Sequence, residues 1–181
     1  GVRNLERKIA GVCRKVVKEL YDSGSLDKTK KAVSITDKNV SDYLGKVKYE
    51  PLKVNKKSEI GIVRGLAWTS AGGDTLEIEV NTMPGKSELI LTGQMGDVMQ
   101  ESARIALTYV RSIAGNRKYK VSKAIFEETS IHIHIPEGAV PKDGPSAGIT
   151  MATAILSAVA GIPVDASVAM TGEVTLRGRV L

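Results

Sequence analysis

One serine of the chain occupies a position typical of a nucleophile. Ser146 is the centre of the segment GPSAG (144–148), which has the G-x-S-x-G spacing of serines held on a strand-to-helix turn. The alternating run Ile131–Ile135 predicts a strand before it, and the Ala-rich segment 147–160 predicts a buried helix after it. The first N–H groups of such a helix carry the positive end of its dipole. The pattern favours a mechanism in which Ser146 attacks a carbonyl and those N–H groups stabilise the oxyanion.

The same serine also has a purely structural interpretation, because serine is common at helix N-termini as a capping residue. Pro145 suits the first helical position, and Asp143 is predicted to accept hydrogen bonds from the free N–H groups of this helix. Both interpretations place Ser146 at the same junction. They differ in whether its hydroxyl reacts.

A reactive serine needs a base, and two kinds lie near it in the sequence. His132 and His134 are two residues apart on a predicted strand and therefore face the same way. They precede the serine, unlike the base of the α/β-hydrolases, and a triad completed by Asp143 would crowd into fifteen residues. Lys142 is closer, but a lysine in a loop rich in Pro and Gly is expected to be solvated and protonated. The residues alone favour neither.

Several longer motifs carry a resemblance to a known family. In chain order they are GVRNLER (1–7), GLAWT (65–69), GQMGDVMQES (93–102), PEG (136–138), PKDGPSAG (141–148) and MTGEVTLRG (170–178). Together they resemble Lon, the ATP-dependent serine protease, over nearly the whole chain. The resemblance implies an α+β fold, with a Lon-type proteolytic domain similar to the second domain of ribosomal protein S5. A small helical AAA+ lid fragment would precede that domain.

The resemblance also implies roles for individual residues. Ser146 would be the nucleophile of a Ser-Lys dyad, the Thr171 hydroxyl would help to hold the lysine, and Asp143 would line the approach to the serine. The residues expected to surround the site are Glu173, His132 and His134. In the family the lysine belongs to a Gly-Gly-Leu-Lys-Glu-Lys stretch, which would follow Leu181. The 181 residues by themselves are therefore expected to be inactive towards peptides.

The opening of the chain resembles the end of the AAA+ small domain, where the arginine of Gly-Val-Arg senses nucleotide. Arg3 holds that position, although an arginine near a helix start is otherwise a solvated side chain. ATP and Mg²⁺ would bind the ATPase module of the parent protein. No cofactor or metal is expected on this chain, because Gly85-Lys86-Ser87 lacks the glycine that a phosphate loop requires where Val80 stands.

The first 45 residues are predicted to form a small unit, the end of the AAA+ small domain. Apolar residues at three- and four-residue steps predict an amphipathic helix over 1–21, with Cys13 on its buried stripe. The alternation in 31–35 predicts a short strand. Thr36 is predicted to cap a helix that ends at Gly45.

A polar, lysine-rich linker is predicted over 46–58, and a proteolytic domain over 59–181. Strands predicted at 61–69, 75–82 and 87–92 would form an antiparallel meander, with Trp68 in the core or a groove wall. Further predictions are a capping box at Asp97–Gln100 that opens a helix ending at Gly115, an irregular loop over 116–128, and closing strands at 166–171 and 174–181.

Basic residues are concentrated in the first third of the chain. Residues 1–57 contain 15 Lys and Arg against 7 Asp and Glu, a net charge of +8, whereas residues 58–181 carry −2. This excess, with the S5-like fold, supports an alternative function as a nucleic-acid-binding module without chemistry. Solvated helix faces explain the same charge, because no aromatic residues are interleaved as stacking platforms. DNA binding, if it occurs, is not expected to be specific.

The remaining expectations concern location and partners. The chain has no run of about 18 apolar residues and no secretion leader, so no membrane segment is predicted. A lone cysteine indicates a reducing compartment. The resemblance implies the bacterial cytoplasm, or alternatively the mitochondrial matrix, with unfolded or tagged proteins as substrates and a homohexamer as the assembly. The absence of an initial Met predicts that this is a piece of a longer protein.

Overall fold

The computed structural model describes residues 1–26, 32–46, 57–69, 72–116, 119, 121–136 and 140–181. The chain divides into two compact units, Gly1–Lys53 and Val54–Leu181. Most of the predicted linker lies outside the described residues. The predicted domain limits at residues 45 and 58 stay predictions.

Two helices, α1 (Val2–Asp22) and α2 (Val40–Leu44), form the N-terminal unit. The predicted amphipathic helix is confirmed by α1, and α2 ends as predicted at Gly45, which has a φ of 80° that favours glycine. Tyr43 of α2 contacts α1, because its hydroxyl donates to Glu19 Oε2 at 3.0 Å. This hydrogen bond to a carboxylate raises the pKa of Tyr43.

Three predictions for this unit are wrong. Residues 32–35 form no strand, and Lys31 lies outside the described residues. Thr36 does not cap α2, because its hydroxyl donates to Asn39 Oδ1 at 3.3 Å and the helix begins only at Val40. Cys13 is exposed rather than in the core, since no residue of α1 is buried. The apolar stripe of α1 is itself exposed at Val2, Leu5 and Ile9.

A five-stranded sheet with the order β3-β4-β2-β1-β5 organises the larger unit. Its strands are β1 (Ile62–Thr69), β2 (Gly72–Pro84), β3 (Leu89–Thr92), β4 (Thr129–His134) and β5 (Ala169–Met170). β2 pairs antiparallel with β1 and β4, whereas β3 pairs parallel with β4 and β5 pairs parallel with β1. The parallel pairs require crossover connections, which the helices supply.

The predicted meander is correct only for its first hairpin. β1 and β2 pair antiparallel, with Ile62 opposite Glu79, but β4 lies between β2 and β3. The predicted turn after Pro84 is present, and there the Gly85 N–H donates to the Glu128 carbonyl at 3.0 Å. The alternation of a strand specifies which side chains face the core, but it does not specify the neighbouring strand.

Three helices complete this unit: α3 (Asp97–Ile113), α4 (Ile125–Glu128) and α5 (Gly148–Ala160). α5 packs on β1 and β2 and against α3. Its predicted burial is confirmed, and Met151 and Ile155 join Ile78 and Ile133 in the part of the core without solvent exposure. No helix in the described ranges has the length and apolar character needed to span a bilayer.

The start of α3 and the presence of α4 differ from prediction. Gly96 is the N-cap of α3, so Asp97 is not, and the Gln100 side chain donates to the Met95 carbonyl at 2.8 Å instead of closing a capping box. The segment 116–128, predicted as irregular, includes the helix α4 among its described residues. The reason is Phe126, which α4 buries in the core.

The predicted closing strands are mostly absent. Only Ala169–Met170 forms a strand, and residues 173–181 form a tight hairpin whose ends, Glu173 and Leu181, exchange two backbone hydrogen bonds. Trp68 was predicted to lie in the core or on a groove wall, and the core is wrong. Its side chain is 84% exposed, because the register places it opposite Gly73, which has no side chain to cover it.

Replacement of Met151 by alanine is expected to lower the free energy of unfolding by about 2–5 kcal/mol. The side chain has no solvent exposure on α5, so truncation leaves a cavity beneath the sheet. Urea denaturation measures the change. Leu176→Ala, at a 56% exposed position, is the control and is expected to stay within about 0.5 kcal/mol of wild type. Equal effects of the two substitutions would contradict this packing.

Candidate active site

Ser146 is exposed in a turn that leads from the loop after β4 into α5. The predicted order of strand, loop and helix is therefore confirmed. The helix begins at Gly148 with Ala147 as its N-cap, so Pro145 precedes the helix and is not its first residue, contrary to prediction. The Gly148 N–H donates to the Pro145 carbonyl at 3.0 Å, which forms a tighter turn ahead of α5.

The N–H groups at the start of α5 are less available than the sequence predicts. Gly148 uses its N–H on the Pro145 carbonyl, and Ile149 donates to the Gly172 carbonyl at 3.0 Å. Within the described ranges, the N–H groups of Ser146 and Ala147 meet no protein acceptor. The turn, rather than the helix itself, therefore offers the donors that an oxyanion beside Ser146 would need.

Thr171 and Gly172, which follow β5, hold the backbone of Ser146. The Ser146 carbonyl accepts hydrogen bonds from the Gly172 N–H at 2.7 Å and from the Thr171 hydroxyl at 3.3 Å. Both residues follow β5 directly, so the pairing of β5 with β1 sets their position. The structure thus brings the predicted residues Ser146 and Thr171 together.

Asp143 caps a helix, but not the one that the sequence predicts. Its Oδ1 accepts from the Met99 N–H at 2.9 Å, in the first turn of α3, and from the Gly144 N–H at 2.8 Å. The predicted cap on α5 is therefore wrong. The carboxylate satisfies a free N–H of α3 and also stabilises the positive end of its dipole.

The two histidines share one partner. Their rings face the same way, as predicted, and Thr92 Oγ1 lies 2.9 Å from His132 Nε2 and 2.7 Å from His134 Nδ1. Thr92 is on the neighbouring strand β3, so the pair is held as a unit on the sheet. Neither ring makes a hydrogen bond to Ser146.

Lys142 is buried, whereas the sequence predicts a solvated side chain. It is 7% exposed, and its ammonium donates to the Val140 carbonyl at 3.1 Å and to the Gly93 carbonyl at 3.5 Å. Burial of a charge is costly unless hydrogen bonds compensate it. The sequence gives no signal for this, because the Gly93 carbonyl belongs to a segment far away in the chain.

A cleft beside the serine loop contains Glu173. Its other lining residues, which come mainly from α3, are Val98, Glu101, Ser102, Ile105 and Pro145. Sequence reasoning missed Ser102, whose buried hydroxyl donates to the Pro145 carbonyl at 3.2 Å. The available signal was a serine on the apolar stripe of α3, three residues after Met99 and four before Ala106.

Arg3 lies in the N-terminal unit and is exposed on α1. It lines a cleft with Arg7 and Arg14 on the same helix face, together with Glu6 and Ala10. Guanidinium groups bind phosphate with paired hydrogen bonds, so this donor set fits a polyphosphate. In the described part of the chain, no group of three or more His, Cys, Asp or Glu residues is arranged to hold a metal ion.

Comparison with known proteins places these features in one family. Residues 34–181 match the family described as the Lon protease (S16) C-terminal proteolytic domain, and residues 1–33 match the family described as the Lon protease AAA+ ATPase lid domain. Three bacterial relatives named Lon protease align with all of this chain. They come from Lachnoclostridium phytofermentans (51% identical over 215 residues), Bacillus thuringiensis (55% over 181) and Clostridioides difficile (53% over 183).

The chain spans about a quarter of the length of these relatives, 26% of the first and 22% of the other two. The family match nevertheless covers residues on both sides of the serine turn, together with Thr171 and the Asp143 cap. The chain therefore belongs to the Lon protease (S16) family.

Proposed function

We propose that this chain supplies the proteolytic site of an ATP-dependent serine endopeptidase of the Lon type. The setting of Ser146 is the observation that supports this most directly. The residue is exposed, its carbonyl is fixed by Gly172 and Thr171, and the N–H groups of Ser146 and Ala147 have no acceptor within the described residues. An exposed hydroxyl on an anchored turn beside free donors suits acyl transfer.

In the proposed reaction, Ser146 Oγ attacks the carbonyl carbon of a peptide bond and gives its proton to a lysine amine. The carbonyl oxygen gains the negative charge, which the N–H groups of the turn stabilise. The C–N bond then breaks, and the lysine gives the proton to the leaving amine. Water hydrolyses the resulting serine ester and restores the hydroxyl.

The base in this proposal is a lysine outside these 181 residues, as the family resemblance implies, and Thr171 helps to hold it. The candidates within the chain have other partners. His132 and His134 are hydrogen-bonded to Thr92, and Lys142 is hydrogen-bonded to backbone carbonyls. Glu173, on the wall of the cleft beside Pro145, is proposed to border bound substrate.

The proposal extends to the whole protein. ATP with Mg²⁺ would bind an AAA+ core and supply the energy that unfolds and delivers substrates, with Arg3 contacting the phosphates. Three arginines on one face of α1 support that assignment, because guanidinium groups suit phosphate. Unfolded or tagged proteins would be the substrates, a homohexamer the assembly, and the bacterial cytoplasm the location.

Degradation of casein, an unfolded protein, is the test. An enzyme of the relatives' length that carries this segment is expected to degrade casein with ATP and to do so far more slowly without it. The 181 residues alone are expected to be silent, because a serine without its base keeps only a small part of the catalysis. Equal cleavage by the 181 residues, lost on His134→Ala, would contradict the lysine mechanism.

A further inference from the structure

We propose that Lys142 is a positioning residue, whose buried ammonium holds the upstream end of the loop that carries Ser146. It does so as part of a clamp between two segments, residues 93–99 and residues 140–144. This inference rests on the proposed function of Ser146. It assigns a role in catalysis to a side chain that does not take part in the proton transfers described above.

The backbone of Lys142 forms the first part of the clamp. Its N–H donates to the Gln94 carbonyl at 3.1 Å, and its carbonyl accepts from the Gly96 N–H at 2.7 Å. Met95 and Lys142 are bridged in the parallel sense, so the two segments run side by side. The path of the serine loop is thereby tied to the residues that lead into α3.

The ammonium forms the second part. It donates to the Val140 carbonyl within the loop and to the Gly93 carbonyl across the clamp. Gly93 lies directly against the core, because an added Cβ there would overlap the carbonyl of Ile135, a fully buried residue, and its φ of 106° also favours glycine. The charge is therefore held against backbone that is packed on the core.

Asp143 forms the third part. Its carboxylate caps α3 at Met99, and Gly96 lies so close that a Cβ there would overlap the carboxyl group. Helix α3 starts at this point and packs along α5. Lys142 and Asp143 are adjacent in sequence, so the buried cation and the helix cap fix consecutive residues of one loop.

The clamp ends at Gly144, two residues before the serine. After the clamp, Ser102 donates to the Pro145 carbonyl, and Gly172 donates to the carbonyl of Ser146 itself. The loop is thus held at successive residues up to the nucleophile, and Lys142 holds the first part. Loss of the ammonium would remove its hydrogen bonds to the Val140 and Gly93 carbonyls and free the loop to shift. A misplacement of about 1 Å costs on the order of 10²-fold in rate.

The test uses Lys142→Met, which keeps the length of the side chain and removes its charge, in an enzyme of the relatives' length. We expect kcat for a fluorogenic peptide to fall by roughly 10–100-fold, with KM within about 3-fold of wild type. Lys142→Arg, which keeps the charge and the donors, is expected to recover part of kcat. Lys86→Met, at an exposed lysine of the turn after β2, is the matched control and is expected to behave as wild type.

The pH profile separates positioning from proton transfer. If Lys142 only positions the loop, the residual activity of Lys142→Met keeps the wild-type pH dependence at a lower rate. If Lys142 is the general base, the basic variant Arg is as inactive as Met and the pH dependence changes. That outcome overturns the inference, and so does a kcat for Lys142→Met within about 3-fold of wild type.

Gly96→Ala disturbs the same clamp from the opposite side without altering Lys142. It is expected to lower kcat by about 10-fold or more and to leave KM nearly unchanged, because its Cβ displaces Asp143 from α3. If Lys142→Met does not fold, Gly96→Ala tests the clamp to which Lys142 belongs. An unchanged kcat in Gly96→Ala would overturn the inference. The proposed function fails separately, if the wild-type enzyme does not degrade casein or if Ser146→Ala degrades it equally well.

Discussion

Ser146→Ala is expected to abolish peptide cleavage, by at least about 10³-fold, while leaving the fold and ATP turnover nearly unchanged. The large effect follows because no acyl-enzyme can form without the hydroxyl. The small structural effect follows because the side chain is exposed and, among the described residues, makes no hydrogen bond. Even a lost cap would cost only about 0.5–2 kcal/mol.

Casein degradation, ATP hydrolysis and urea denaturation, measured on the same enzyme preparation, check this prediction. Ser112→Ala is a matched control, since Ser112 is also exposed and its hydroxyl, among the described residues, donates only to the Tyr109 carbonyl of its own helix. Cleavage by Ser146→Ala within a few-fold of wild type would end the assignment of Ser146 as the nucleophile. It would leave the family membership of the chain untouched.

Gly172→Ala is expected to impair both stability and activity. Gly172 has a φ of 147°, which residues with a side chain rarely adopt, and an added Cβ would lie 2.5 Å from Val180 Cγ1. Its N–H and carbonyl also join Ser146 to Ile149, so any backbone adjustment moves the serine turn. We expect a loss of about 1–3 kcal/mol in unfolding free energy and a fall in kcat of the order of 10²-fold.

Urea denaturation and the kcat for a fluorogenic peptide measure the two effects. Gly73→Ala is the control, because Gly73 has no positive φ and an added Cβ there meets nothing within 4 Å. That variant is expected to match wild type in both measurements. A normal kcat in Gly172→Ala would show that the serine turn does not depend on the path of the chain after β5.

The sequence predicted the elements whose signal is local. α1 and α3 each repeat apolar residues at helical spacing, and α5 is apolar on nearly every side. β1 and β2 lie on either side of the predicted glycine-rich turn. The prediction failed for the place of β4, which inserts between β2 and β3. No periodicity within a strand encodes which distant strand will lie beside it.

The candidate site was also predictable only in its local features. The junction at Ser146 and its nearness to Thr171 followed from the serine pattern and the family resemblance. The cap of Asp143 on α3 and the burial of Lys142 did not, because both depend on the segment 93–99 lying beside the serine loop. A carboxylate can cap any helix whose first turn lies within hydrogen-bonding distance. The sequence identifies only the helix that is adjacent to Asp143 in the chain, which is α5.

The nucleic-acid-binding alternative rested on the basic residues of 1–57 and on a likeness of fold. The two family matches together cover the whole chain and belong to one kind of protease, so the charge needs no second function to explain it. The exposed arginines of α1 lie in the part that matches the ATPase lid domain. Under the proposed function, these arginines would contact the phosphates of a nucleotide.

The parallel pairing of β5 with β1 also sets the order in which the protein can mature. It joins Arg64 and Gly65 to Ala169 and Met170, more than one hundred residues further along the chain. Contacts so distant form late, because the intervening chain must be ordered before they stabilise anything. Thr171 and Gly172 come directly after that strand, so they can form hydrogen bonds to Ser146 only when most of the sheet has folded. A nascent or partly unfolded copy would hold a serine without its support, and we expect it to be unable to cut its neighbours.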